Sequence, residues 1–110
     1  MKKMLTAALC LLSFVNAGIV NAQENRRVRI VNQSSSTIRY FYASNVDRGT
    51  WERDILGPMQ VIAPGYYINV NIDDGSGHCL YDLRAVLADN RQAVRYRFNV
   101  CTNSSWTVTD

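Results

Sequence analysis

The side chains that could do chemistry in this 110-residue sequence are few: one histidine, His78; the cysteines Cys79 and Cys101; the acidic pair Asp73-Asp74; and Trp51 with Asp54. A zinc site draws on three or four converging Cys, His or carboxylate ligands, and His78 adjoins a cysteine that is expected in a disulfide, so it reads as a surface strand residue. Asp73-Asp74-Gly75 lacks the D-x-D-x-D-G spacing and closing glutamate of a calcium loop, and with Ser76-Gly77 it reads as a solvated turn. Serines 34, 35, 36 and 44 have no G-x-S-x-G setting, and any Ser-His-Asp triad would have to run through His78. Asn103-Ser104-Ser105 matches a glycosylation acceptor but reads as a turn. These residues imply no catalytic group, cofactor or metal.

Trp51 with Asp54 is the most informative pair. Beside Tyr40, Tyr42, Tyr66 and Tyr67, an exposed Trp51 would make a sugar-stacking or protein-binding platform, since aromatic faces give large contact area at small entropic cost. The preferred reading is an anchor. Trp51 plugs one end of a small core that needs large caps, and Asp54 bonds nearby amides or an arginine. Asp82 and Arg84 alternate with Tyr81 and Leu83, which predicts an outer-face ion pair from Asp82 to Arg95 or Arg97.

The elements that must position these residues begin after a leader. Met1-Lys2-Lys3, the apolar run Leu5 to Val15 and the small-residue exit Val20-Asn21-Ala22 read as a cleavable signal peptide, residues 1–22; Val15-Asn16-Ala17 offers a second cut. The run is shorter than the roughly 20 residues that span a bilayer, which predicts no membrane anchor after cleavage. Cys10 sits inside the run after Leu9, unlike a lipidation site. Removal of residues 1–22 leaves 88, one small domain at 23–110, with ten arginines, no lysine and nine acids, a net charge of +1. Near-neutrality gives no argument for a nucleic-acid partner, and export argues against one. Arginine without lysine suits bidentate anion binding, against which stand the interspersed acids.

Apolar residues alternate rather than recur every 3.6 positions, which predicts an all-β domain. Strands are expected over 27–32, 37–44 with Ile38, Tyr40 and Tyr42 on one face, 60–63 and 66–72 as a hairpin around Pro64-Gly65, 78–87, 92–100 and 105–109. Thr50 is expected to cap a short helical turn. About seven short strands predict a small antiparallel, disulfide-linked β-sandwich. A hairpin centred on Asn90 sets Cys79 opposite Cys101, the two mature cysteines of an oxidising compartment. That register turns Arg95 and Arg97 inward unless a bulge near Cys101 restores Val94, Tyr96, Phe98 and Val100 to the inner face.

The landmarks Val31-Asn32, Ile38, Tyr42-x-Ser44, Trp51-x-x-Asp54-x-Leu56-Gly57, Ile62-x-x-Gly65, Cys79-x-x-Asp82-Leu83-Arg84, Asp89 and Asn99-x-Cys101 resemble a family of small secreted alphaproteobacterial proteins. The family is without an assigned function, though some members carry the label argininosuccinate lyase. The resemblance spans about residues 28–101 and departs at Asp89-Asn90, where the family has Asp-Gly, and at Asp47-Arg48-Gly49-Thr50, where it is more acidic. The label names large, mainly helical cytoplasmic enzymes with active sites between subunits, which 88 strand-patterned residues cannot reproduce.

These readings converge on a non-catalytic binding or interaction module of the periplasmic cell envelope, whose partner is an envelope protein or glycan. The alternatives are a small hydrolase or inhibitor directed at the cell wall or its enzymes, and a purely structural envelope protein. An enzyme would need a pocket with a nucleophile and base in contact; a binding module would show an exposed aromatic or edge-strand patch.

Overall fold

A computed structural model describes residues 26–110; the expected leader, 1–22, lies outside the described residues. Strands form where β-branched and aromatic side chains alternate with polar ones: β1 (Arg27–Asn32), β2 (Ile38–Asn45), β3 (Tyr67–Asn71), β4 (Leu80–Leu87), β5 (Gln92–Asn99) and β6 (Ser105–Val108). One sheet places β1 between β3, antiparallel, and β6, parallel; the other places β4 between β2 and β5, both antiparallel. Their inner faces meet in a single buried cluster, with Val28, Ile30, Val70 and Val108 from the first and Phe41, Leu83, Ala85 and Phe98 from the second. Phe41 and Trp106 touch across the layers, ring centroids 6.2 Å apart. The chain is thus an all-β sandwich with six strands among the described residues rather than about seven.

The missing strand has a local cause. Residues 60–63 do not pair with 66–72 as a hairpin; only Ile62 bridges, to Ile38, while β3 pairs with β1. Asn32, fully buried, captures the segment instead. Its Nδ2 donates to the carbonyls of Ser36 and Ile62, each at 2.8 Å, and its Oδ1 accepts from the Ser34 N–H at 2.9 Å and the Ser34 hydroxyl at 2.6 Å. Its own carbonyl takes the Gly65 N–H at 2.7 Å. Gly65 can supply the left-handed φ of 88° that this turn requires.

Two bulges decide which side chains face out. In β2 the register slips between Ile38, opposite Leu87, and Tyr40, opposite Val86. The extra residue, Arg39, leaves Ile38 and Phe41 buried and sends Tyr40 and Tyr42 outward, so the expected common face of Ile38, Tyr40 and Tyr42 does not exist. In β5 the slip lies between the pairs Leu83–Arg95 and Tyr81–Phe98. Arg97 takes a left-handed φ of 55°, and its backbone N–H donates to Asp82 Oδ1 at 2.9 Å. Phe98 and Val100 are buried as expected, whereas Val94 and Tyr96 are 39% and 66% exposed. The bulge is therefore at Arg97, not near Cys101, and Asp82 accepts from the backbone of Arg97 rather than pairing with an arginine side chain.

The Cys79–Cys101 disulfide is present, with Cα atoms 5.3 Å apart. The hairpin register that predicted it is nevertheless different. Leu87 N–H bonds the Arg91 carbonyl around a three-residue loop, and Asn90 takes the left-handed φ of 73° that a glycine would otherwise supply. The loop is thus centred on Asp89. The Arg97 bulge adds one residue to β5, and the turn at Val100-Cys101, held by Asn99 Oδ1 on the Cys101 N–H at 2.9 Å, brings Cys101 to Cys79. A disulfide in a small domain is consistent with an oxidising, extracytoplasmic setting.

Candidate functional site

The site is built by the loop that follows β2. Ser44 points to the outer face of the β2-β4-β5 sheet but is buried, because its hydroxyl donates to the Thr50 carbonyl at 2.9 Å and folds the loop back over the strand. No helical turn forms at Thr50; residues 51–54 are irregular. The loop lays Trp51, half-buried, beside Tyr42 with ring centroids 6.5 Å apart. Tyr42 in turn stacks on Tyr40 at 6.5 Å. Trp51 therefore lies on the outer face of a sheet and does not plug the end of the sandwich.

Asp54 does anchor the loop, away from the aromatic face. Its Oδ1 accepts the N–H of Phe41 at 2.8 Å and of Leu56 at 3.1 Å, while the Ile55 N–H donates to the Phe41 carbonyl at 2.8 Å. These bonds occupy both polar groups of Phe41 on the free edge of β2 and drive Leu56 into the core.

Against both rings lies Arg84, expected only on the outer face beside Asp82. Its Cζ is 4.5 Å from the Tyr42 centroid and 5.0 Å from that of Trp51. Contact with two aromatic rings favours arginine over lysine. Its Nε is buried with no hydrogen-bond partner. Beside it a cleft of about 190 Å³ is walled by Trp51, Thr50 and Gly49, floored by Ser44 and Asp82, and closed by Tyr96 and Arg48. Arg48 also pairs with Glu52 at 3.3 Å. Tyr96 was missed by the sequence reading because it was assigned to the inner face. The signal was there: a register that turned Arg95 and Arg97 inward demanded a bulge, and a bulge re-aims its neighbours.

A second constellation lies in the turn after β3. His78 is not a strand residue; its Nε2 lies 2.6 Å from Asp47 Oδ2 and its Nδ1 2.8 Å from Ser76 Oγ. The three residues have the types of a hydrolase triad, but Ser76 Oγ also accepts the His78 backbone N–H at 3.2 Å and serves the local turn. The cleft beside Trp51 is not lined by them. Their geometry latches the loop carrying Asp47 to the 73–78 turn.

That turn is pinned by Asp74. Its carboxylate accepts from Tyr81 Oη at 2.7 Å, Asn45 Nδ2 at 2.8 Å and the Ser76 N–H at 3.0 Å. Burial would push the carboxyl up, but the hydrogen bonds from Ser76, Asn45 and Tyr81 outweigh it and hold it well below its ordinary 3.8. Burial, with donation to Asp74, pushes the Tyr81 hydroxyl up. The unfolded chain therefore binds this proton at higher pH than the folded one. The stability Asp74 contributes should be complete above the unfolded value of 3.8 and decline as pH falls from there toward the lower folded value. Denaturant midpoints of wild type and Asp74→Asn between pH 2 and 7 should converge at the acid end; a gap that stays constant through the acid range would show that Asp74 does not carry this dependence.

The structure thus gathers Tyr40, Tyr42 and Trp51 on one surface with Arg84, Asp82 and Tyr96, leaves Asp54 at the edge as a fastening, and sets Cys79–Cys101 at the end of β4 and β5 opposite the 88–90 loop. No protein-family model matches this chain, no curated protein matches it in sequence, and no solved structure matches it.

Proposed function

We propose that the domain is a non-catalytic binding module of the periplasmic cell envelope and that the cleft beside Trp51 holds a sugar unit of an envelope glycan. The observation that carries this reading is an outer sheet face that is aromatic where it would ordinarily be polar. Tyr40, Val94 and Tyr96 are at least 39% exposed on it, alongside the stacked Tyr42–Arg84–Trp51 group. Rings supply flat apolar area for the faces of a sugar, and Asp82, Arg48 and the Thr50 loop supply acceptors and donors for its hydroxyls. The leader-like residues 1–22 and the disulfide support export to the periplasm.

Trp51→Ala tests the reading. Mature domain titrated by calorimetry with soluble peptidoglycan fragments should bind, and the variant should lose roughly 30-fold or more, the scale of an interface hot spot. Its denaturant midpoint should move by only about 1 to 2 kcal/mol, because the ring is half-buried on the outside of the sheet. A large stability loss with affinity retained would make Trp51 a structural lid instead. Release of new reducing ends from the fragments by wild-type protein would favour the hydrolase alternative.

A further inference from the structure

We propose that the opposite face of the molecule, the outer surface of the β3-β1-β6 sheet, is a second and independent binding site, for an acidic polysaccharide bearing carboxylate groups. The register fixes its composition. Arg27 stands opposite Asn71 and Arg29 opposite Asn69 across β1 and β3, and Arg29 stands beside Ser105 of β6. The outward positions of these three strands hold two arginines, amides, hydroxyls, a tyrosine and Val31, and no carboxylate. With a net charge of only +1 over residues 23–110, such segregation is a local property of this face.

Arg29 is also oriented. Its Cζ lies 4.1 Å from the Tyr67 ring centroid, and its Nε donates to Asn69 Oδ1 at 3.4 Å. The ring supports the guanidinium plane and leaves its Nη edge for an oxyanion lying in that plane, the geometry in which arginine binds carboxylate through two parallel hydrogen bonds. Arg27 projects from the same face two residues away, about 7 Å along the strand. Both arginines line a groove of about 600 Å³ with Asn69, Ser104 and Ser105, above a floor of Val28 and Val31.

Charge complementarity selects an anion, and the lining selects its kind. Amides and hydroxyls pair with sugar hydroxyls, whereas the face presents no long apolar side chain to enter a lipid layer. A chain of uronic-acid type, carboxylates alternating with hydroxyls, fits both features.

The oxidised mature domain should be titrated with a galacturonic acid hexamer, with its carboxyl-reduced neutral counterpart, and with vesicles of anionic phospholipid. The acidic hexamer should bind, more weakly as salt rises, while the neutral one should not. Arg29→Ala should weaken binding about ten-fold or more, the worth of a charge-assisted hydrogen-bond pair. Arg29→Lys, which keeps the charge but not the fork, should fall between, and circular dichroism of each variant should match wild type. Trp51→Ala should leave this binding unchanged, separating it from the cleft on the other sheet. Equal binding of the neutral hexamer, retention of affinity in Arg29→Ala, an equal loss in Trp51→Ala, or capture by vesicles in place of the hexamer would each overturn the proposal.

Discussion

Reduction of the Cys79–Cys101 bond is expected to destabilise the domain by about 3 kcal/mol. The bond spans 22 residues of chain, and releasing it returns the entropy of an open loop to the unfolded ensemble. The effect is large relative to the whole. A domain of this size buries only a little over roughly 60% of its unfolded surface, and total stabilities run at about 5 to 15 kcal/mol. At a urea dependence of about 1 kcal/mol per molar for so small a protein, the reduced form should unfold at a midpoint lower by roughly 3 M. Urea titration of the mature protein with and without reductant measures this directly. A shift below about 0.5 M would mean that the β4–β5 hairpin, with its loop at Ala88 to Asn90 and its Arg97 bulge, retains its order without the covalent link. Intact mass should also differ by two hydrogens between the two forms.

Asn32→Ala should cost a comparable amount, about 3 to 5 kcal/mol, although the side chain is small and polar. Asn32 is completely buried, and its amide joins β1 to both the 33–37 turn and the Ile62 segment. Truncation leaves the Ser34 N–H without its acceptor in a place water does not reach, at about 1 to 3 kcal/mol, and strips the Ile62 carbonyl of one of its two donors, leaving the Ile38 N–H at 2.9 Å. It also frees the segment whose Ile62 completes the core beside Ile38. Asn32→Asp should be destabilised as well, because it keeps the acceptor but loses both donated bonds and buries a charge. Ser34→Ala removes only one hydroxyl from the same cluster and should cost nearer 1 kcal/mol. If chemical denaturation places Asn32→Ala within 1 kcal/mol of wild type, the residue is not the hub its contacts describe.

The two bulges show where the reading of the chain stopped working. Val94, Tyr96, Phe98 and Val100 alternate without a break and look like one face, as do Ile38, Tyr40 and Tyr42. In each case one inserted residue, Arg97 or Arg39, reverses the alternation halfway along the strand. Nothing local marks the insertion. Arg97 adopts a left-handed backbone that arginine does not favour, and it does so because Asp82, on the neighbouring strand, accepts its N–H. The Cys79–Cys101 pairing was legible even so, because two irregularities of one residue each made up the difference between a loop centred on Asn90 and one centred on Asp89.

Composition and alternation by themselves determined that residues 26–110 form an all-β domain, that Cys79 and Cys101 pair, and that Asp54 fastens a loop, since strand periodicity, cysteine count and a carboxylate near free amides are properties of short stretches. What only the tertiary structure decided is which side of each sheet a residue occupies. Trp51, Tyr42 and Arg84 come together because a buried Ser44 hydroxyl folds the following loop over the outer face, and Arg27 and Arg29 share an outer face with Asn69, Asn71 and Ser105 because β1 lies between β3 and β6. Strand side chains alternate with a period of two, so a single-residue slip or a choice of neighbouring strand exchanges inside for outside, and both are settled by contacts between residues far apart in the chain.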